Sequence, residues 1–327
     1  MKSVPPSRRR FLRIAAVHTA ALAVGLRAGR GEPELGEPRR WRGIGLGAEA
    51  SIELYADDTA AADVALEACR EELVRLETIF SLYDGLSALS ELNRTKQLTA
   101  APAELVEVLA LAERVSVVSE GAFDVTIHPV CELLARGDAP AEDVARLVAQ
   151  VDFRNVEIGG ADVTLHGAET QVTLNGIAQG YITDRIVALL ESRGFTSALV
   201  DLGEKRALGW HPEGRAWRIG VQSPFAGNVM AKVIDLRAGQ AVATSGGYGT
   251  RYRDAQGRHH LLDARSGASR DDWSSVSVVA DSAAVADALS TTLAVSRPVD
   301  AAAMLDSFPG SVAYVIGPNA SIETIGG

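Results

Sequence analysis

Asp287 and Thr291 stand four residues apart in Asp281–Val295, a run otherwise made of small apolar residues and hydroxyls. On a helix, that spacing puts a carboxylate and a hydroxyl on one face. A carboxylate in so apolar a helix is costly unless something partners it. Two readings follow: an Asp bonded to backbone groups, or an oxygen site for a hard cation such as Mg2+. Thr173 to Tyr181 joins a predicted strand to a predicted helix. Asn175 can cap the helix there, and Gly176 and Gly180 let a ligand come close to the backbone. A plain glycine-rich turn has the same composition. The pull of a helix N-terminus on an anion is only about 0.3–1 kcal/mol at an exposed site, too little to hold a pyrophosphate on an acidic protein.

Ala243-Thr244-Ser245-Gly246-Gly247-Tyr248 is a second turn dense in hydroxyls and glycine, and His259-His260-Leu261-Leu262-Asp263 follows it. A zinc site here lacks Cys partners and helical spacing. His260 is either a structural imidazole or a general base, since its ordinary pKa lies near working pH. A strand over this stretch puts His260 and Leu262 on one face and Asp263 on the other, with Asp263 available to orient the ring. Tyr83 and Phe123 can stack on a flat ring or fill core. No Gly-x-Gly-x-x-Gly run, Walker-type loop or nucleophile elbow occurs, which disfavours the commoner nucleotide folds.

These residues need elements to position them. Apolar spacing predicts a long helix over 59–80, with Leu66, Cys69, Leu73, Leu76 and Phe80 on one face. Further helices are expected at 103–119, 141–150, 177–193, 283–295 and 299–306. Strands are expected at 50–55, 162–166, 171–174, 197–201, 216–221, 230–236, 275–280, 311–316 and 321–325. Helices and strands mix without strict alternation, so the fold class is α+β. No linker divides residues 45–327, which read as one domain.

The chain has 327 residues, 47% of them hydrophobic and 23% charged, enough for a sizeable core. Its start reads differently. Ser7-Arg8-Arg9-Arg10-Phe11-Leu12-Arg13 precedes a short apolar run, Ile14 to Leu26, and small residues surround Ala28. Residues 1–28 read as an export signal of the twin-arginine type, which implies a periplasmic location. Residues 29–42 read as a linker, and no lipid-bearing cysteine follows the apolar run. Cleavage near Ala28 removes six cations and no acid, taking the net charge from −10 to −16. Such a surface repels nucleic acid, and also a pyrophosphate unless something local reverses the field. Cys69 and Cys131 are the only cysteines; a disulfide and buried free thiols are both open.

Taken in order, the segments resemble the ApbE family of flavin transferases over about residues 43–325. Ser81-Leu82-Tyr83 with Ser87, Ser90 and Asn93 is similar to the family block S-x-Y…S-x-x-S-x-x-N. Gly121–Asp124 is similar to G-x-F-D, and Gly176–Asp184 to G-x-A-K-G-Y-x-x-D. Ala243–Gly246 is similar to A-T-S-G, His260–Asp263 with Gly267 to H-x-x-D-P-x-T-G, and Ala286–Thr291 to A-D-A-x-x-T. The resemblance implies one antiparallel-rich α+β domain over 43–327, of the T-fold-like kind. It implies transfer of FMN from FAD to a Ser or Thr of a target protein, with release of AMP. It also implies Mg2+ at Gly176, Asp287 and Thr291, and His260 in catalysis. FAD contacts carry over to Leu46, Tyr83, Ala122, Phe123, Asp124, Gln179 and Leu262, and Thr173 stands where the family has an Asp. The implied acceptor is a membrane redox protein with a D-x-x-S-G-A-T-like motif.

The sequence departs from the family at four places. Gln179 replaces a Lys, Thr173 an Asp, Ala264 a Pro, and Gly203-Glu204-Lys205 stands for Gly-Gly-Asp. Asn175–Tyr181 and Asp201–Glu204 resemble the NosX-like branch linked to nitrous oxide reductase maturation. FAD hydrolysis to FMN and AMP, and a periplasmic FAD-binding chaperone, are the alternative functions.

Overall fold

A computed structural model describes residues 37–327, apart from residues 138 and 255 and the side chain of Asn228. The expected export signal and most of the linker lie outside the described residues. The rest of that linker does not: β1 (Arg39–Gly45) begins inside it and pairs antiparallel with β2 (Ala48–Leu54). Asp58 caps α1 (Thr59–Phe80), which buries the apolar stripe expected of it. There follow α2 (Ala88–Thr95), β3 (Gln97–Leu98), α3 (Ala103–Val118), α4 (His128–Arg136), α5 (Ala141–Val148), β4 (Val156–Gly159) and β5 (Asp162–Leu165). Next come α6 (Ala178–Ser192), β6 (Ala198–Asp201), β7 (Lys205–Leu208), β8 (Trp217–Ser223), β9 (Ala226–Leu236) and β10 (Ala241–Ser245). The chain ends with β11 (Ser275–Ala280), α7 (Ala283–Val295), α8 (Ala301–Asp306), β12 (Val312–Ile316) and β13 (Ile322–Gly326). Among the described residues no helix is long and apolar enough to cross a membrane.

Eight strands form one sheet in the order β1-β2-β6-β7-β10-β11-β12-β13, every pair antiparallel. Both faces of its middle are covered, so β11 (SVSVVA) is buried at every position. Val276 and Val278 face the helical core with Leu73, Ile186 and Leu289. Val279, with Leu199 and Val242, packs instead against Trp217, Ile219 and Ile234 of the β8–β9 hairpin. The two-residue period of the strands thus divides one apolar run between two cores.

Helix α7 is apolar nearly all round because it lies between this sheet and α6. Gly180 allows the approach: a Cβ there would collide with the Ala283 carbonyl group and lie 2.8 Å from Ala284 Cα. The two helices also cap each other. Asp287 of α7 accepts the Gly180 N–H (3.0 Å), while Asp184 of α6 accepts the Ala283 and Ala284 N–H groups (2.7 and 3.0 Å) and the Ser282 hydroxyl. Each carboxylate meets the positive end of the other helix, which offsets part of its burial cost. Gly180→Ala is therefore expected to cost about 3 kcal/mol or more, since backbone must move rather than a side chain. Urea unfolding of the variant checks this, and a midpoint like that of the parent would contradict the close packing.

The segment 171–174 is extended without being a strand. Asn93 serves its backbone instead, donating to the Val172 carbonyl (2.8 Å) and accepting the Val172 N–H (2.7 Å). Both cysteines are free thiols. Burial pushes Cys69 up to about 12 and Cys131 up to about 11.

Candidate active site

A cavity of about 400 Å³ opens where the C-terminal end of β10, the start of α6, α7 and α4 converge. Of the residues singled out in the sequence, Tyr83, Ala122, Phe123, Asp124, Thr173, Gly176, His260, Leu262, Asp287 and Thr291 line it. Leu46 and Gln179 do not. Leu46 sits in the β1–β2 turn at φ 49°, its N–H bonded to Glu77 (2.6 Å). Gln179 is buried below the cavity, where its amide donates to the Leu202 carbonyl (2.9 Å) and packs against Gly203.

The floor is acidic. Asp287 is 4% exposed and Glu204 5%. Burial raises the Asp287 carboxyl to about 7, against the Gly180 hydrogen bond that favours its charge. Burial, then the Asp287 charge, pushes Glu204 well above the ordinary carboxylate range. The carboxylate has a backbone hydrogen bond at Thr244, but its Oε2 has no hydrogen-bond partner among the described residues. Thr291 stands beside them, its hydroxyl 3.3 Å from that of Ser245, which also bonds Ser290 (2.8 Å). A Cβ on Gly176 would lie 3.1 Å from Thr291 and 3.3 Å from Phe123, so this backbone lies directly against Thr291. The donors on offer are carboxylates and hydroxyls beside the Gly176 backbone, a set suited to a hard cation.

His260 forms another part of the wall. It does not lie in a strand; isolated bridges at His259 and Asp263 bracket an irregular stretch. Its Nδ1 is 3.2 Å from the Thr250 carbonyl oxygen. A carbonyl only accepts, so Nδ1 carries the proton and Nε2 keeps its lone pair. Burial lowers its pKa to about 4, which leaves the ring neutral at working pH. Asp263 does not orient it, because the Arg265 guanidinium occupies that carboxylate (2.7 and 2.9 Å). His259 is structural, bonded to the Arg270 carbonyl (3.0 Å) and the Leu261 N–H (3.2 Å).

Several motif residues build the frame. The Ser81 carbonyl accepts from Ser87 and Ser90, and the Ser81 hydroxyl accepts the Tyr83 N–H (3.1 Å), which fixes the loop bearing Tyr83. Asp124 accepts the Thr126 N–H and hydroxyl (2.8 and 2.6 Å) and the Phe153 N–H (2.7 Å), pinning the turn beside Phe123. Four lining features escaped the sequence reading: Ser245 against Thr291, the orphaned Glu204 oxygen, Tyr252, and the α4 face of His128, Cys131, Glu132, Ala135 and Arg136. The α4 spacing of three and four residues was a usable signal for the last.

Known proteins with this architecture agree. A sequence model described as the ApbE family matches residues 46–316. A FAD:protein FMN transferase of Treponema pallidum is 31% identical over 311 residues, covering 86% of this chain and 85% of its own length. The Escherichia coli K12 protein of the same name is 27% identical over 241 residues, 68% of each chain. The crystal structure of the Pseudomonas stutzeri flavinyl transferase ApbE superposes with a TM-score of 0.76 at 26% identity, over 90% of this chain and 97% of that one. The mixed fold, the ordered motifs and these likenesses place the chain in the ApbE family.

Proposed function

We infer that the chain transfers FMN from FAD to a Ser or Thr hydroxyl of a second protein. The hydroxyl oxygen bonds to the FMN-side phosphorus, the pyrophosphate bond to AMP breaks, and the hydroxyl proton leaves to a base. One observation carries this reading: a neutral imidazole with a free Nε2 shares a cavity with two buried carboxylates that, among the described residues, no side-chain cation contacts. His260 is placed to take the proton, since the Thr250 carbonyl holds the tautomer that accepts at Nε2. Tyr83 and Phe123 offer aromatic faces for the flavin.

The same floor repels a pyrophosphate, so we include Mg2+, held by Asp287, Thr291 and the backbone of Gly176. Bound there, Mg2+ supplies positive charge against the pyrophosphate and the departing AMP. Gly180 and Ser245 keep the Asp287 and Thr291 oxygens in place. Incubation of the protein with FAD, Mg2+ and an acceptor carrying a D-x-x-S-G-A-T-like motif tests the reading. A flavin-fluorescent acceptor band that survives denaturation supports it. FMN and AMP without labelled acceptor would mark a pyrophosphatase, and FAD recovered intact a chaperone.

We place the acceptor on a membrane redox protein outside the cytoplasm, in the context of nitrous oxide reductase maturation. The twin-arginine reading of Arg8 and Arg9 supports that location. Replacing both by Lys is expected to hold the protein in the cytoplasm, scored by fractionation; unchanged export would remove the twin-arginine route.

A further inference from the structure

Glu204 stands in the turn between β6 and β7. Gly203 makes the turn at φ 104°, its N–H bonded to Asp201 (3.2 Å), and the Leu202 N–H bonds the Glu204 carbonyl (3.1 Å). The Gln179 amide holds the Leu202 carbonyl from beneath. The side chain therefore leaves a backbone fixed on both sides, and it lines the cavity with Thr244, Ser245, Asp287 and Thr291.

Among the described residues no cation forms an ion pair with this carboxylate, although the nearby Lys205 charge and a Thr244 backbone hydrogen bond favour its ionised form. Lys205, next in sequence, pairs with Asp201 at 3.0 Å, and Arg206 pairs with Asp184. Gln179 is neutral and its amide is spent on Leu202. Glu204 Oε2 is buried without a partner and shares the floor with Asp287, itself buried. Two buried acids facing one cavity are costly unless a positive group enters it. A hard cation takes oxygen ligands and is commonly bound by one or two carboxylates together with substrate phosphates.

We propose that Glu204 is a second carboxylate ligand of the cation site, its Oε2 binding the Asp287–Thr291 cation directly or through one water. The proposal rests on the cation reading above and extends it. A site with two carboxylates holds a divalent ion before FAD arrives, whereas a single carboxylate leaves most of the ligation to the pyrophosphate.

Mn2+ is the probe, with free Mn2+ counted by electron paramagnetic resonance on FAD-free protein. The wild type is expected to bind Mn2+, Asp287→Asn to lose it, and Glu204→Gln to bind roughly ten- to a hundredfold more weakly. In chelator, Glu204→Gln is expected to melt at or above the wild-type temperature, since it replaces a buried carboxyl whose Oε2 has no partner among the described residues. Wild-type Mn2+ affinity in Glu204→Gln, with binding lost in Asp287→Asn, would overturn this proposal alone. No Mn2+ binding by the wild type would overturn the cation reading and this proposal with it. A Glu204→Gln protein that melts lower in chelator would make the side chain structural and also overturn the assignment.

Discussion

Asp287→Ala is expected to abolish FMN transfer, a loss of about 10³-fold or more. The carboxylate is 4% exposed and lies on the floor that a pyrophosphate must approach. Removing it deletes the main charged ligand of the proposed cation. It also leaves the Gly180 N–H without its acceptor, a penalty of about 1–3 kcal/mol for a buried donor. Asp287→Asn separates these effects, because the amide oxygen still accepts from Gly180 while the charge is gone. The Asn variant should melt close to the parent yet stay inactive, as should wild type in excess chelator. Covalent flavin on the acceptor is the measurement. Full transfer in chelator would remove the cation from the account.

His260→Ala is expected to lower transfer by roughly 10²-fold or more while FAD affinity stays near the parent value. In the proposed reaction the imidazole acts on the acceptor hydroxyl, so the loss should fall on kcat rather than on the KM for FAD. If binding, melting temperature and transfer fall together, the ring is a packing element. Its pH behaviour gives a second readout. Burial lowers its pKa from the ordinary 6.5 to about 4. The neutral ring is the form the fold prefers, so its contribution to stability is full above pH 6.5 and is lost as pH falls from 6.5 toward 4. The part of transfer set by this ring should accordingly stay flat through neutral pH and drop near pH 4. The His260→Ala protein should lose less stability than the parent over that acid window.

Long periodic elements were legible in the sequence. Thr59–Phe80, Ser275–Ala280 and Ala283–Val295 form where the spacing of apolar residues put them. Some short elements, α2 and α4 among them, were not. Helix α2 is eight residues long and is fixed by the Ser87 cap and the Asn93 bonds to a distant backbone. The segment 171–174 has strand composition, but Asn93 takes the bonds that a neighbouring strand would have made. The one-domain α+β reading follows from mixed elements without a linker, whereas the strand order does not, because it depends on pairings such as β7 with β10.

The site was legible in part for the same reason. Asp287 and Thr291 share one helix, so their spacing announced a shared face. Gly180 and Asp184 meet α7 only through the α6–α7 packing, and their part in capping α7 and holding Asp287 needs both helices in view. Asp263 looked like the partner of His260 from three residues away, yet Arg265 takes it and the Thr250 carbonyl does the orienting. Glu204 stood out in the sequence only as part of a departure from the family's Gly-Gly-Asp, with no role attached. Its significance comes from the lack of any partner for Oε2 in a buried position, which only the packed structure reveals.

In the proposed reaction the phosphorus passes to a protein hydroxyl and not to water. The most direct test is the ratio of AMP released to FMN covalently bound, by chromatography and intact-mass spectrometry of acceptor treated with the protein, FAD and Mg2+. The expected result is a ratio near one, no label on an acceptor whose target Ser or Thr is changed to Ala, and little AMP when acceptor is absent. AMP released at the same rate with and without acceptor, and with the acceptor mass unchanged, would contradict it.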